Sequence, residues 1–403
     1  MFGTLAYYFD KEKAMLFAGR KSMLRASSGN GMKELQLYLN EHPGSYKAIA
    51  LSYDLKNDIE QLLSSQNNDR IGFPDVACWE PEHVFSFSGG KWSVISTENQ
   101  QLANEFITSF SQELIKNNRE LPSVSFSPTE TKASYMDALK DALHEIQIGN
   151  TYEINYCQEF FAEQIPDFSS FDLIRKQFEL TQAPFSAFLK FDEFELFCGS
   201  PERFLKKENN KLISQPIKGT IARGKTPEED EQLKSQLKNS QKDQSENVMI
   251  VDLVRNDLSR IAAKGSVNVD ELFGIHSFNT VHHMISTVSC ELKENTDFTD
   301  ILKADFPMGS MTGAPKISTM KIIEHLEKFK RGIYAGSVGY IEPNGDFDLN
   351  VVIRSIIKNN ERKVMSCSVG GAITIQSDPE KEYEECMVKI RKTLQLFGEQ
   401  NGF

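Results

Sequence analysis

The sequence predicts an α+β protein in which two antiparallel sheets carry helices on their outer faces. Short apolar runs separated by polar turns such as Gly89-Gly90 are typical of meandering strands. Helical spacing is found in other stretches, for example in the apolar residues from Tyr135 to Ile146, which stop before Gly149. Because strands and helices are segregated more than they alternate as βαβ units, the α+β class is favoured.

The chain divides into two regions by composition. Its 403 residues exceed the usual size of one domain and can bury a large core. Residues 1–120 are predicted to be mostly strands, for example 48–53, and to belong to the same pair of sheets as the rest. Residues 121–131 are rich in Pro, Ser and Thr, which predicts a boundary there. The second region, 121–403, contains every candidate functional residue.

The second region alternates between clear helix and strand patterns. The highly charged stretch 225–244 has the spacing of a solvated helix and leads into an apolar helix over 247–258. The last helix is predicted to begin with Asp378 as N-cap and Pro379 in its first turn. The other predicted elements are helices at 132–146, 171–178 and 317–328, and strands at 152–161, 185–191, 196–199, 278–292, 333–341, 347–357 and 363–374.

Charge and cysteine usage exclude several classes of protein. The 45 Lys and Arg residues against 57 Asp and Glu give a net charge of −12, which disfavours binding to nucleic acid. The six cysteines include no Cys-x-x-Cys pair and are expected to be buried thiols in a reducing cytoplasm. There is neither a targeting pattern at the N-terminus nor an apolar run of about 18 residues, so no membrane association is expected.

One lysine lies in a distinctive local setting. The run before Lys218 contains Pro216-Ile217 and favours extended backbone, whereas Gly219 and Gly224 permit turns. The pattern therefore predicts that Lys218 lies on a turn. Taken alone, such a lysine is most often a solvated surface charge.

Three segments in the fixed order of a known family give Lys218 another meaning. They are 216–220 (PIKGT), 246–257 (ENVMIVDLVRND) and 309–316 (GSMTGAPK), and together they resemble the chorismate-utilising enzymes. The resemblance covers about residues 130–395 and implies a large α+β domain with a β-sandwich core. Within the family the chain is most similar to aminodeoxychorismate synthase component I, since anthranilate synthases usually have Ala in place of Lys218.

Two acidic helix faces are candidates for a metal site. Glu382 and Glu385 are three residues apart on the last helix, and Asp243 and Glu246 repeat this spacing on another. Each face alone is more often solvated, but two converging faces would repel each other unless a cation lay between them, and oxygen ligands suit Mg²⁺. The resemblance implies that Glu246 and Glu385 bind Mg²⁺, while Asp243 and Glu382 hold its bound waters.

A second set of residues could bind the carboxylates of chorismate. Arg354 offers a bidentate guanidinium, and Gly370-Gly371-Ala372 offers backbone N–H groups. The resemblance implies that these residues and Tyr334 bind the enolpyruvyl carboxylate. It also implies that Thr312 and Gly313 lie beside the ring carboxylate, and that Lys389 helps to neutralise the charge near the metal. Individually, Arg354 could instead form an ion pair at a strand edge, Tyr334 could belong to the core, and the glycines could form a bulge.

The resemblance also supplies three catalytic candidates. Loss of the 4-hydroxyl of chorismate requires a general acid, which matches Glu202, although this residue could instead pair with Arg203. His283 matches a family histidine near the ring, and the alternative is a core histidine; adjacent His282 should face the opposite way. Lys218 becomes the nucleophile that attacks the ring, for which its pKa must be depressed by burial or nearby positive charge.

The implied reaction is amination of chorismate at ring carbon 4 to give 4-amino-4-deoxychorismate for para-aminobenzoate and folate synthesis. No Gly-x-Cys-x-Gly nucleophile turn is present, so ammonia should come from a separate glutamine amidotransferase subunit or from solution. The alternatives are anthranilate synthase component I and a non-catalytic chorismate-binding protein, which would need neither nucleophile nor acid. Glu153 stands where many relatives have Gln or Lys, and its role stays open.

Overall fold

The computed structural model describes residues 3–27, 29–60, 63–116 and 119–400. These residues form two large antiparallel sheets with helices packed against them, which confirms the predicted α+β class. Within the described ranges no helix is both long and apolar enough to cross a membrane. All six cysteines are buried and unpaired, as predicted.

The strands of the described residues are short, and many of their side chains are buried. In chain order they are β1 (Leu5–Phe9), β2 (Ala14–Ala18), β3 (Ser22–Ala26), β4 (Lys47–Leu51), β5 (Val76–Glu80), β6 (His83–Ser88), β7 (Lys91–Thr97), β8 (Ser127–Pro128), β9 (Glu153–Glu163), β10 (Phe185–Phe191), β11 (Phe194–Ser200), β12 (Arg203–Glu208), β13 (Lys211–Gln215), β14 (Ile217–Ala222), β15 (Asn268–Ser277), β16 (Val281–Glu291), β17 (Gly313–Ala314), β18 (Ser337–Ile341), β19 (Phe347–Asn350), β20 (Ser355–Asn359) and β21 (Val364–Thr374).

Six of the described helices begin at residues whose side chains accept hydrogen bonds from free backbone N–H groups. Asp378 accepts a hydrogen bond from the N–H of Lys381 with Pro379 in the first turn, as predicted. The helices are α1 (Gly31–Glu41), α2 (Lys56–Ile59), α3 (Gln100–Ile115), α4 (Lys132–Gln147), α5 (Ser170–Thr181), α6 (Pro227–Lys238), α7 (Gln241–Ser259), α8 (Phe298–Asp305), α9 (Lys316–Leu326) and α10 (Pro379–Leu394).

The two sheets draw strands from both halves of the chain. The first sheet runs β17-β9-β21-β20-β11-β10-β1-β2-β6-β7, with β8 also on β9, and the second runs β14-β16-β13-β12-β19-β18-β4-β5-β3, with β15 also on β16. In the first sheet Leu5 pairs with Lys190, and in the second Ala50 pairs with Val338. One apolar core contains buried side chains from both sheets, and another packs the first sheet against α3, α4 and α10.

Two predicted strands differ substantially from those in the structure. The stretch predicted as one strand over 347–357 is two strands, because β19 belongs to the second sheet and β20 to the first. The chain crosses between the sheets at 351–354, where Arg354 has a φ of +53°. The strand predicted over 333–341 begins at Ser337, because 332–335 form a turn in which Ala335 has a φ of +60°.

Lys218 lies on a strand, so its predicted turn position is wrong. It belongs to β14, which pairs with β16 and is interrupted by a register shift between Ile217 and Thr220. Gly219 supplies the positive φ of +90° at this irregularity, and an added Cβ there would lie 3.0 Å from the side chain of Asp243. The glycine therefore lets β14 bend closely against α7.

Candidate active site

The buried ammonium of Lys218 forms an ion pair with Glu153. Nζ of Lys218 lies 2.5 Å from Oε1 of Glu153, and the residues are 8% and 1% exposed. Since β14 is in the second sheet and β9 in the first, this pair joins the two sheets. The alternative of a solvated surface lysine does not describe Lys218.

The surroundings of Lys218 are acidic. Burial alone would lower the pKa of Lys218, but the negative charges of Glu153, Glu246 and Glu202 together raise it above its ordinary value. The expectation of a depressed pKa is therefore wrong for the protein without ligands. Lys218 is an ammonium here, and any nucleophilic role requires that it give up a proton.

Glu202 lies between β11 and β12 with its carboxyl group buried. The hydroxyl of Ser310 donates a 2.7 Å hydrogen bond to Oε1 of Glu202. Burial raises the pKa of Glu202 to about 7, although this hydrogen bond and the charge of Lys218 partly oppose the shift. Arg203 pairs with Asp348 at 2.9 Å, so the suggested pairing of Glu202 with Arg203 is not formed.

The two adjacent histidines of β16 face opposite ways, as predicted. Nδ1 of His283 is 2.8 Å from the hydroxyl of Thr220, whereas Nε2 of His282 is 2.9 Å from Oδ1 of Asp230. Burial lowers the pKa of His283 to about 4, and the positive charge of Arg354 acts in the same direction. His283 is therefore a neutral imidazole at neutral pH.

Arg354 presents an unpaired guanidinium to a small cavity. The cavity has a volume of about 90 Å³ and is lined by Thr220, His283, Arg354 and Lys392, among others. Among the described residues no ion pair to Arg354 is formed, so the alternative of a strand-edge ion pair does not apply. Burial lowers the pKa of Arg354. Because guanidinium groups remain charged, this cavity carries positive charge suited to an anion.

The remaining predicted carboxylate-binding residues lie on the neighbouring backbone. Gly370, Gly371 and Ala372 pair regularly with Cys157, Tyr156 and Asn155 along β21 and β9, so the alternative of a bulge is wrong. Tyr334 is buried in the core, where its hydroxyl and the thiol of Cys157 form a hydrogen bond.

Thr312 and Gly313 lie beside the strand that carries Glu153. The hydroxyl of Thr312 donates to the carbonyl oxygen of Met308 at 3.2 Å. Gly313 has a φ of +143°, and an added Cβ would lie 1.9 Å from the carbonyl oxygen of Glu153. This approach of two backbones requires glycine.

The two acidic helix faces converge on a lysine that the sequence did not single out. Nζ of Lys242 lies 3.8 Å from Oε1 of Glu246 on α7 and 3.6 Å from Oε1 of Glu382 on α10. Glu385 pairs instead with Lys389 at 2.7 Å. In the described part of the chain no three His, Cys, Asp or Glu side chains are close enough together to hold a metal ion.

The same residues nevertheless have the character of a site for a hard cation. Oε1 of Glu246 is buried and has no hydrogen-bond partner among the described residues. Glu246 and Glu382 already share one cation, the ammonium of Lys242, across the gap between α7 and α10. Carboxylate oxygens are the ligands that Mg²⁺ prefers, so this donor set fits the ion.

Three contact residues escaped the sequence analysis because their partners are distant in the chain. Ser310 lies inside a recognised motif, but its contact with Glu202 depends on how two loops meet. Thr220 also lies inside a recognised motif, and Lys242 lies beside Asp243. Nothing in a linear pattern indicates that they face His283 and Glu382.

A larger cavity, of about 470 Å³, lies away from these groups. It is lined by residues of β1, β2, β6 and β18, including Tyr8 and Tyr340. Neither Lys218 nor Arg354 lines it.

Comparison with known proteins identifies the family to which the chain belongs. The family model described as chorismate binding enzyme matches residues 5–395. The chain belongs to this family. Its fold is similar to that of anthranilate synthase component I from Streptococcus pneumoniae TIGR4, with a TM-score of 0.82 and 26% identity over 96% of this chain and 93% of the other.

Three curated relatives have the name aminodeoxychorismate synthase. Aminodeoxychorismate synthase component 1 from Bacillus subtilis (strain 168) is 32% identical over 365 residues, covering 87% of this chain and 77% of the relative. The component 1 protein from Escherichia coli (strain K12) is 38% identical over 286 residues, covering 68% of this chain and 62% of the relative. The chloroplastic aminodeoxychorismate synthase of Arabidopsis thaliana is 44% identical over 270 residues, covering 66% of this chain but 29% of the relative. The chain thus spans less than two thirds of the length of the last two.

Proposed function

We propose that this family member aminates chorismate at ring carbon 4, giving 4-amino-4-deoxychorismate. The observation that carries the proposal is the buried ion pair of Lys218 with Glu153, because a buried lysine held in a fixed position can serve as a nucleophile in covalent catalysis. The names of the relatives from Bacillus subtilis and Escherichia coli support the same activity.

Substrate binding is assigned to the positively charged cavity. The unpaired guanidinium of Arg354 would take the enolpyruvyl carboxylate as a bidentate ligand, assisted by backbone N–H groups near Gly370 and Gly371. Neutral His283 would lie against the ring, where it can exchange a hydrogen bond without adding charge. The ring would then lie between Glu202 and Lys218.

The chemistry divides between one acid and one nucleophile. The carboxyl of Glu202 gives its proton to the 4-hydroxyl, which leaves as water with the C–O bonding electrons. Neutral Nζ of Lys218 forms a bond to the ring carbon two positions away, and the ring double bond shifts as the hydroxyl departs. Ammonia then bonds to carbon 4 and the shift reverses, so Lys218 leaves as an amine.

A magnesium ion would be held by Glu246 and Glu385, with Asp243 and Glu382 holding its waters, and it would supply the positive charge that the ring carboxylate needs. Lys389, already paired with Glu385, would limit the net negative charge of this face. Ammonia is proposed to come from a glutamine amidotransferase partner, a proposal supported by the words "component 1" in the names of relatives.

The proposal is tested by incubating the pure protein with chorismate, Mg²⁺ and ammonium and identifying the product by mass and fluorescence. Aminodeoxychorismate is expected. With ammonium withheld, intact-protein mass spectrometry should find a ring adduct on the peptide that contains Lys218. The adduct should be absent from Lys218→Ala and present in Lys206→Ala, a control lysine on β12.

Other products would contradict the assignment. Anthranilate with pyruvate would identify an anthranilate synthase, and chorismate bound without turnover would identify a binding protein. No adduct in the wild-type protein, together with an unimpaired Lys218→Ala variant, would remove Lys218 from the chemistry.

A further inference from the structure

We propose that Glu153 is a catalytic residue, the base that takes the proton from Lys218 when Lys218 attacks the ring. The inference rests on the proposed function, because it concerns the activation of the same nucleophile. The geometry brings one carboxylate oxygen into direct contact with the atom that must react.

Among the described carboxylates, Glu153 is the best placed to accept the proton from Lys218. Its Oε1 is 2.5 Å from Nζ of Lys218, and Glu153 is the one acid of the described residues that forms an ion pair with this lysine. Glu202 also acts electrostatically on Lys218, but its Oε1 accepts from Ser310 and its own proton is assigned to the leaving hydroxyl. In this proposal Glu153 is therefore the base and Glu202 is the acid.

The second oxygen of Glu153 distinguishes this contact from an ordinary structural salt bridge. Oε2 is buried and has no hydrogen-bond partner among the described residues. A buried carboxylate with one oxygen left bare lacks part of the solvation that stabilises its negative charge. Oε2 is thus an open acceptor position on the same carboxyl group that contacts Nζ of Lys218.

The backbone holds Glu153 rigidly in this position. Its strand β9 pairs on one side with β17, where Glu153 faces Ala314, and on the other with β21, where it faces Thr374. Neighbouring Gly313 lets the two backbones approach. Because β9 is hydrogen-bonded to a strand on each side, its backbone needs no rearrangement for Glu153 to contact Lys218.

The proton transfers balance over one turnover. The ammonium of Lys218 passes one proton to Glu153, and the neutral amine bonds to the ring as the hydroxyl leaves with the proton of Glu202. When ammonia displaces Lys218, the amine regains the proton stored on Glu153. Glu202 is reprotonated by solvent or by the ammonium ion that supplies the nitrogen.

The test compares adduct formation in single-turnover experiments without ammonium, measured by rapid quench and intact-protein mass spectrometry. Glu153→Gln keeps the size of the side chain but cannot accept the proton. Its rate of adduct formation should fall by about 10²–10⁴-fold, the usual contribution of a general base. The chorismate Kd and the melting temperature should show that the pocket is intact. Glu163→Gln, on the exposed end of the same strand, is the matched control and should react at the wild-type rate.

Chemical rescue separates a base from a merely structural counter-ion. In Glu153→Ala the vacated space can admit a small molecule, and formate should restore adduct formation. Formamide has nearly the same shape but is not a comparable base, so it should not. This pair of additives also keeps the proposal testable if Glu153→Gln fails to fold.

The outcomes distinguish this inference from the function on which it rests. Adduct in the wild-type protein with an undiminished rate in Glu153→Gln would overturn the role of Glu153 and leave the function standing. If formate and formamide rescue equally, or if neither rescues, Glu153 is a positioning residue, and the proposal that it is the base is overturned. Absence of any adduct in the wild-type protein, together with an unimpaired Lys218→Ala variant, would remove Lys218 and therefore Glu153 from the chemistry. Formation of anthranilate, or binding of chorismate without turnover, would instead overturn the proposed function.

Discussion

The hydroxyl of Ser310 donates a 2.7 Å hydrogen bond to Oε1 of Glu202, the carboxyl whose pKa burial raises to about 7. The bond favours the charged form of the group, while burial favours the neutral form, and burial prevails. Glu202 therefore changes its protonation near neutral pH, in the range where an acid catalyst is most effective.

The pH dependence of turnover follows from this balance. In the proposed mechanism Glu202 acts in its protonated form, so kcat/KM for chorismate should fall as the pH rises through about 7. Ser310→Ala removes a hydrogen bond that lowers the pKa of Glu202. The falling limb of the pH profile of kcat/KM should therefore move to higher pH. Ser337→Ala, which also removes a buried hydroxyl, is the control and should leave the limb in place. A limb that does not move in Ser310→Ala would separate Glu202 from the observed titration.

The same group should also affect stability. Its folded-state pKa of about 7 exceeds the usual 4.5, so the folded protein binds this proton more tightly than the unfolded chain. The contribution of Glu202 to the free energy of unfolding should therefore decrease as the pH rises from about 4.5 to 7. Urea titrations at several pH values, compared between the wild type and Glu202→Gln, would measure it.

Magnesium binding should depend on both acidic helices. Glu246→Gln and Glu385→Gln should each abolish Mg²⁺-supported turnover and weaken Mg²⁺ binding in calorimetry, because each removes an anionic oxygen ligand. Glu228→Gln, at the exposed start of α6, serves as the control. Full activity of Glu385→Gln after treatment with a chelator would disprove the metal assignment.

Lys242 should compete with the metal. Its ammonium lies within 3.8 Å of both Glu246 and Glu382, so it neutralises part of the negative charge that would attract Mg²⁺. Lys242→Gln should therefore bind Mg²⁺ more tightly by calorimetry at low salt, with Lys238→Gln as the comparison. Weaker binding in Lys242→Gln would show that the lysine supports the site.

Arg354 should control affinity for chorismate. Arg354→Lys replaces a bidentate fork by a point charge and loses a charged hydrogen bond of about 1.5–3 kcal/mol. KM should rise about ten- to hundredfold with a smaller change in kcat. A loss confined to kcat in steady-state assays would place Arg354 outside the carboxylate site, and Arg25→Lys controls for the exchange itself.

Gly313 should tolerate no side chain. Gly313→Ala drives a Cβ to within 1.9 Å of the carbonyl oxygen of Glu153, and overpacking of this kind costs about 1–3 kcal/mol or more. Gly345→Ala is a matched control with positive φ and open space around it, where only backbone strain of about 1–2 kcal/mol is expected. Urea unfolding would compare them, and equal losses would show that the contact is unimportant.

Local signals in the sequence were sufficient for several elements. The cap at Asp378 and Pro379 identifies the start of α10, because a side chain satisfies the first backbone N–H groups within one turn. The opposite orientations of His282 and His283 follow from the two-residue period of a strand. Both depend on residues that are neighbours in the chain.

Features that depend on distant partners could not be predicted in this way. The apolar run 347–357 gives no local sign that its two ends join different sheets. The pKa of Lys218 is raised because carboxylates from β9, α7 and the β11–β12 turn converge on it, which a reading of 216–220 cannot show. Lys242 is a similar case, since its partner Glu382 lies on another helix.

The pairing of Ala50 with Val338 also has a consequence for how the protein is made. During synthesis β3, β5 and β4 can assemble early, but the free edge of β4 must wait until β18 leaves the ribosome. Such long-range pairing slows folding, and an unpaired strand edge is prone to association with other chains. The sheet that contains β4 is thus completed late, and in that interval the nascent chain is prone to aggregate through the free edge of β4.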